Sequence, residues 1–497
     1  MSEPGGLFGG IFGRGADAGG ADTSDAAWLQ AMLDTEAALA RALERAGLAA
    51  PGAGAAVTAA ATAANFDPAE LGRQAALTGN PVPALVRALS ARLPEPAAAA
   101  VHQGATSQDI IDTAMMLLAR AALDAVLARL GAAAAAAARL AAAHRDTVMT
   151  GRTLLQQAVP VTFGLVAAGW LTGIDEARTA LAAVRRERLA VQFGGAAGTL
   201  ASLGDAGPRV AALLAGELGL AEPVLPWHTN RVRITELAAV LATASAAAGK
   251  IARDVTLLAQ TEVGEVREGG GDPGRDPGRD PGRGGPGGPG RGGSSAMPHK
   301  RNPVAAVATL GCTRQVPGLL ATLTAAAEQE HQRAAGAWHA EWQPLSALLR
   351  LTAAAASWCA DLLAGLEVDA GAMRANLDAA GGLPLAEHVA TVLAARLGRL
   401  AAHDLVAEAA ARSARTGRPF RDELAGDERV GAAGLTASQI DAALEPSGYL
   451  GAAAELVDRA LAAHEQAEST LAGHVPGDRA TGPAAGPGVS PEAVRKK

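Results

Sequence analysis

One short stretch of the chain carries enough polar chemistry for a reaction. Gly293-Ser294-Ser295-Ala296-Met297-Pro298-His299-Lys300-Arg301-Asn302-Pro303 sets hydroxyls, an imidazole, cations and a carboxamide side by side. Gly292 and Gly293 allow positive φ and close approach of backbone to a ligand. Pro298 and Pro303 exclude a regular helix between them. Such a loop can present backbone N–H groups and Lys300 to an anion, with Ser294 or Ser295 as proton carrier. A solvated basic turn is the ordinary reading of a cluster like this one. Two upstream stretches argue against it.

The first is His102-Gln103-Gly104-Ala105-Thr106-Ser107-Gln108-Asp109. Thr106 and Asp109 have capping-box spacing, and Met116, Leu123, Leu127 and Leu130 follow as a helical stripe. Thr106 to Gln108 are therefore expected at a helix N-terminus, where free N–H groups and the macrodipole favour an anion. A plain N-cap accounts for Thr106 and Asp109 but gives His102, Ser107 and Gln108 no part. The second runs from Gly151 to Pro160. There Arg152, Thr153 and Gln156 offer a cation and neutral donors just before another long helix. The competing reading of Arg152 is a structural ion-pair partner. A turn at Thr78-Gly79-Asn80-Pro81-Val82-Pro83 reads by itself as a connector.

Positioning these stretches falls to helices. Asp25 to Leu48 is amphipathic, with Trp28, Met32, Leu39 and Leu43 near one face and Asp34, Glu36, Arg41 and Glu44 largely elsewhere. Gly131 to Ala143 is an alanine-rich helical segment. Leu237, Leu241, Ala244, Ala248, Ile251, Val255 and Leu258 form a heptad seam that asks for partner helices along its length. This favours an extended bundle. Gly194 to Thr199 is a Gly-rich turn without a preceding strand, a poor nucleotide site. Trp227 to Arg231 opens the seam helix, as a cap first and a substrate contact second. Glu330 to Arg333 and Trp338 to Trp342 have spacing that suits metal ligands, but no matching set elsewhere completes a cage, so core packing is expected.

Asp-Pro-Gly-Arg occurs three times between Asp272 and Arg283. The segment 268–292 cannot bury a core, is expected to be flexible, and leads directly into the serine loop. The expected units are a loose N-terminus (1–23), a helical domain (24–112), a long-helix domain (113–365), a smaller helical domain (366–465) and a disordered tail (466–497).

Composition narrows the function. Hydrophobic residues are 49% of the 497 and aromatics only 3%, so the core is expected to form by close contact of alanine- and leucine-rich helices. An all-α fold follows. The net charge of −7 argues against nucleic acid as partner. Cys312 and Cys359 give neither a disulfide framework nor a ligand cluster. Without a secretory leader or a strongly apolar run of bilayer length, a cytoplasmic protein with no membrane partner is expected.

Taken together, Gly104–Asp109, Gly151–Pro160 and Gly293–Pro303 resemble the three signature regions of the fumarase/aspartase superfamily. Within it, Phe193–Thr199, Pro226–Thr229 and Ala335–Trp342 are similar to the branch of bacterial 3-carboxy-cis,cis-muconate cycloisomerases. The likeness runs from about residue 24 to 465. It implies a three-domain fold around a long-helix bundle, and a homotetramer with sites shared by three subunits. It also implies a small tricarboxylate substrate and no metal or organic cofactor. The catalytic roles fall on Ser294, Ser295 and Lys300. Substrate binding falls on Asn80, His102, Thr106, Ser107, Gln108, Arg152, Thr153, Gln156, Met297 and Asn302. Helix length agrees with shared sites, because stretches at opposite ends of long helices meet only when copies pack antiparallel.

Two departures bear on the reaction. Most relatives carry His after Gly-Arg-Thr of the second region, where this chain has Leu154. They commonly carry Glu shortly after Asn-Pro of the third, where it has Val307. With both apolar, neither a charge nor a donor is stranded. A reaction needing one external proton-transfer group suits that pair: lactonisation, in which the substrate's own carboxylate attacks. The alternatives are an adenylosuccinate- or argininosuccinate-type lyase releasing fumarate, and a non-catalytic helical scaffold.

Overall fold

The computed structural model describes residues 6–15, 21–269, 292–293, 297 and 299–472. Ser294, Ser295, the Asp-Pro-Gly-Arg repeats and residues 473–497 lie outside the described residues.

Helix α1 (Asp25–Ala46) starts where the Ser24 hydroxyl accepts the Ala27 N–H and stops at Gly47, φ +79°. The bundle is built from α2 (Ser107–Ala143), α3 (Phe163–Glu187) and α4 (Val232–Leu258). It is completed by α5 (Val304–Thr313), α6 (Val316–Ala325) and α7 (Ala337–Ala364). Every residue of the heptad seam on α4 is buried. Alanines make much of this core, which lets the helices approach closely. The fold is all-α with little strand. Among the described residues there are two antiparallel ribbons, β1 (Val148–Thr153) with β2 (Gln156–Thr162), and β3 (Val266–Glu268) with β4 (Leu366–Val368). Helix α8 (Ala370–Ala379) packs on β1, and separate smaller cores serve the N-terminal helices and the helices of 386–443.

Several expectations change. The boundary at 112 falls inside α2. The N-terminus is not loose throughout, since Gly6–Gly15 packs on α5 and α7, and Ala21 and Thr23 are buried. The last described helix, α9 (Ala453–Ala472), extends past 465 and returns to α3. Asp175, His464 and Glu468 place possible ligand atoms within 4.8 Å of one another. Arg178 donates to both Asp175 and Glu468, so the group reads as an ion-pair clasp between α3 and α9. The second polar stretch does lead into a long helix, α3, but it is itself a β-hairpin. Its two-residue tip is Leu154-Leu155, at φ +52° and +63°. Such angles belong to a tight hairpin turn that normally selects Gly or Asn. Glu36 is fully buried rather than on a wet face.

The expectation about apolar length also needs correcting. By length and composition, Val232–Leu258, Val304–Ala325 and Ala337–Ala364 are each apolar enough to cross a membrane. Inside this fold the third is a core helix, 83% buried over its most apolar window, against 44% and 33% for the others. The chain itself leaves small residues uncovered on them, including Ala239, Thr243 and Ala246 on α4 and Ala321 and Thr322 on α6.

The bundle has two poles. Helices α2, α4 and α7 start together: Arg231 before α4 binds Asp112 of α2 and Glu341 of α7. At 1.5 Å per residue, α2 is about 55 Å long and α4 about 40 Å. The hairpin follows the far end of α2, and Glu265 follows the far end of α4.

Candidate active site

At the first pole the N-terminus of α2 is organised by Asp109. Its carboxylate accepts N–H groups from Thr106 (3.0 Å), Gly194 (3.1 Å) and Gly195 (2.9 Å). His228 Nε2 lies 2.6 Å from Asp109 Oδ1, both side chains buried. Trp227–His228 therefore does not cap α4; it locks the Gly-rich turn onto α2. Gln108 is also buried. Its amide donates to Asp112 (3.1 Å) and the His228 carbonyl (2.9 Å), and its oxygen accepts from Arg333 (2.7 Å). Thus Gln108 spends its polar atoms on the protein. Thr106 and Ser107, half-buried beside it, remain the groups able to face an anion.

Beneath the helix tip lies a buried charge cluster. Arg231 donates to Asp112 (2.7 and 3.2 Å) and to Glu341 (3.0 Å for Nε). Trp338 Nε1 adds a bond to Asp112 (3.0 Å), and Gln329 one to Glu341 (3.0 Å). Burial works against charge on Arg231, but Asp112 and Glu341 outweigh it and hold the guanidinium above its usual range. One cation faces two carboxylates. Burial pushes the Glu341 carboxyl up from 4.5 to about 7, against Arg231 and with help from Asp112. A carboxyl raised in the fold contributes stability fully present below its unfolded value and lost as pH rises through the folded one. Unfolding free energy should therefore fall between about pH 4.5 and 7 in the native protein. In Glu341→Gln that component should vanish; urea titrations at several pH values check it.

His102 stands at φ +60°. Its backbone N–H (2.9 Å) and Nδ1 (2.7 Å) both meet the buried Glu36 carboxylate. Burial would lower the imidazole pKa, but the Glu36 hydrogen bond and charge outweigh it and raise the value. The ring is thus turned by Glu36 and biased toward the cation. Asn80 accepts the Val82 N–H (3.1 Å) in a turn whose Gly79 carbonyl meets His339 Nε2 (3.0 Å), on the first turn of α7. Arg333 reaches over the same pole, donating to the Gly195 (3.2 Å) and Ala196 (2.8 Å) carbonyls.

The second pole holds the other residues. Arg152 makes a bidentate pair with buried Glu265, at 2.8 and 2.6 Å, and Asn376 donates to the same carboxylate at 2.8 Å. Arg152 is therefore an ion-pair partner within the chain, held in one orientation and 24% exposed. Thr153, Leu154, Leu155 and Gln156 project at the hairpin tip, Leu154 being 97% exposed. Three residues after Glu265, Glu268 accepts the Ala305 (3.0 Å) and Ala306 (2.9 Å) N–H groups, so a carboxylate caps α5. The base of the serine loop is clamped. Asn302 donates to the Gly292 carbonyl from its backbone (2.9 Å) and side chain (3.3 Å), and Gly293 bridges Arg301. Gly292 is at φ +87°, and a Cβ there would lie 2.5 Å from the Asn302 oxygen, so only glycine fits. Met297 and Lys300 are exposed within the loop. Arg267, Glu268, Arg301, Asn302 and Glu367 help line a cavity of about 270 Å³ at its base.

Two sets of groups result. Asn80, His102, Thr106 and Ser107 share the first pole; Arg152, Thr153, Gln156, Lys300 and Asn302 share the second. One chain does not bring the sets together.

A family described as Lyase matches residues 21–278, and one described as Adenylosuccinate lyase C-terminus matches 382–460. The 3-carboxy-cis,cis-muconate cycloisomerase of Bradyrhizobium diazoefficiens is 47% identical over 440 residues, covering 88% of this chain and 94% of that protein. The nitrosuccinate lyase of Streptomyces davaonensis is 46% identical over 458 residues, covering 90% and 93%. The crystal structure of the 3-carboxy-cis,cis-muconate lactonizing enzyme from Pseudomonas putida aligns with TM-score 0.83 at 41% identity, covering 93% of this chain and 99% of that one. The chain belongs to the fumarase/aspartase-type lyases.

Much of the apparatus of this lyase carried no local sequence signal. Glu36 is one more acid on an amphipathic helix until its contact with His102 is seen. Glu265 and Glu268 sit just before a repeat. Arg231, Arg333 and Glu341 occur in stretches notable for composition, with nothing to assign their partners. A polar residue inside an apolar helical run, as Glu36 and Asp112 are, was the available clue.

Proposed function

We propose that this lyase converts 3-carboxy-cis,cis-muconate to 4-carboxymuconolactone, as a cytoplasmic homotetramer whose sites draw residues from three subunits. The likeness to cycloisomerases along nearly the whole chain carries this reading. The Leu154 and Val307 pair supports it, because attack by the substrate's own carboxylate needs no second external acid. The uncovered faces of α4 and α6 give neighbouring copies somewhere to pack.

In this proposal the substrate carboxylates rest on the α2 tip at Thr106 and Ser107, with Gln108 shaping that tip. Glu36-held His102 and Asn80 stand beside them, one neighbouring copy supplies Arg152, Thr153 and Gln156, and a third supplies Met297, Lys300 and Asn302. One carboxylate oxygen adds to the conjugated double bond, and the electron pair moves onto the far carboxylate as an enediolate. Lys300 and Asn302 stabilise that charge where it develops. Ser294 then protonates the α-carbon, with Ser295 as its understudy. A serine is a weak acid and base unless its alkoxide is stabilised, which Lys300 can also do. No metal or organic cofactor enters the scheme.

A second reading is favoured by the nitrosuccinate lyase, whose identity to this chain is within one percentage point of the highest quoted above. An intermolecular elimination would use the same anion-holding groups. Side-by-side assays decide: loss of diene absorbance from 3-carboxymuconate supports cycloisomerisation. Nitrite release from nitrosuccinate, or fumarate release from adenylosuccinate, without diene loss would replace it. Lys300→Ala should raise KM and lower kcat, reducing kcat/KM by about 10²-fold or more, measured in the same assay.

A further inference from the structure

We infer that the N-terminal arm is a working part of the catalytic apparatus, with Phe12 and Arg14 as positioning residues for the helix that follows the serine loop. The first described residues form a short helical turn, Gly9–Phe12, rather than a free end. Trp358 Nε1 donates to the Ile11 carbonyl at 2.9 Å. The Arg14 guanidinium lies over the Trp358 ring, 4.1 Å from its centre, and pairs with Asp361. Gly15, at φ +90°, passes so near α7 that a Cβ would come within 2.6 Å of Ser357 Oγ. Further along, Thr23 Oγ1 donates to the Ser346 carbonyl (3.3 Å) and Trp28 Nε1 to its hydroxyl (3.0 Å). The described parts of the arm thus touch α7 near both Asp361 and Ser346, some four helical turns apart.

The consequence for the site comes through Phe12. Its ring is half-buried against Gly311 of α5; a Cβ on Gly311 would stand 3.6 Å from Phe12 Cε1. Gly311 lies one turn beyond Val307 and two beyond Val304, where α5 leaves the loop holding Lys300 and Asn302. Helix α5 has ten residues, and Glu268 caps its start. A bulky ring set against its last turn holds the end opposite the loop, and with Glu268 at the start it fixes the direction in which the helix delivers the loop. Trp358, through the Ile11 carbonyl, and Arg14, through Trp358 and Asp361, hold the chain on either side of Phe12. Loss of the wedge should leave substrate-holding groups at the other pole intact and misdirect the loop, a fault felt in the transition state more than in binding. Misplacement by about 1 Å can cost up to 10²-fold in rate.

The kinetic arm of the test rests on the cycloisomerase reading; the exchange arm does not. In the full-length protein, Phe12→Ala and Arg14→Ala should each lower kcat about tenfold or more with KM within about twofold, while Phe12→Leu keeps most of kcat. Hydrogen exchange should quicken across residues 299–313 and stay unchanged across 107–130. If even the unaltered protein turns over no muconate, the substrate reading fails and exchange alone decides this inference. Native exchange at 299–313 in both variants would overturn it, as would exchange raised equally at both poles, which would mark a merely structural arm.

Discussion

Ser294→Ala is expected to lower turnover about 10³-fold or more while substrate affinity stays within about tenfold. In the proposed scheme the separation follows from a division of labour between residues. There charge recognition is assigned to the α2 tip, His102, Arg152 and Lys300, all of which the substitution leaves in place. Proton transfer at carbon is assigned to one hydroxyl, and without it the enediolate would return to substrate. The loop base is closed, since the Asn302 N–H donates to the Gly292 carbonyl at 2.9 Å. Steady-state kinetics with calorimetric binding of substrate to the variant would show the split. Retained turnover in Ser294→Ala, with loss in Ser295→Ala, would move the role by one residue.

The largest effect on stability is expected at Arg231. Replacing it by Met leaves Asp112 and Glu341 buried without their cation, at a cost of about 3–5 kcal/mol. All three side chains are fully buried, so solvent cannot substitute for the lost partner. Part of the cost should be recovered in the variant that also carries Glu341→Gln, which removes the carboxylate already inclined to protonate. Urea denaturation at fixed protein concentration measures both, because an assembly's apparent stability depends on that concentration. A loss under about 1 kcal/mol in Arg231→Met would mean the cluster is wetter than its burial indicates. Activity should fall with it, since Asp112 also holds Gln108, the residue that ties the α2 tip to Arg333.

Helix periodicity made the bundle legible, because the seam on α4 repeats over its whole length and each of its residues is buried. The α2 tip was legible from Thr106 and Asp109, whose spacing has a local mechanical meaning. The hairpin at 148–162 was not. Its turn uses Leu154 and Leu155 at positive φ, against the usual turn chemistry, so no Asn-Gly or Asp-Gly marked it. Long-range pairs were equally hidden: Arg152 with Glu265 and His102 with Glu36 join residues 113 and 66 positions apart. Composition named the acids and bases, and only the fold chose partners for them. The arm at 6–15 was misread for a related reason. Glycine-rich sequence allows disorder, but it also allows backbone to lie flat on a helix, as Gly15 does on Ser357.

In the proposed assembly one working site takes its serine loop and its α2 tip from different copies of the chain. Subunit mixing tests it most directly. Ser294→Ala and His102→Ala proteins, each expected to turn over little muconate alone, should be dissociated, combined and reassociated. Hybrid assemblies should regain muconate turnover, because some of their sites receive an intact loop from one chain and an intact tip from another. Hybrids that form in full yet stay as inactive as their parents would contradict the account, since both residues would then be drawn from the same chain at every site.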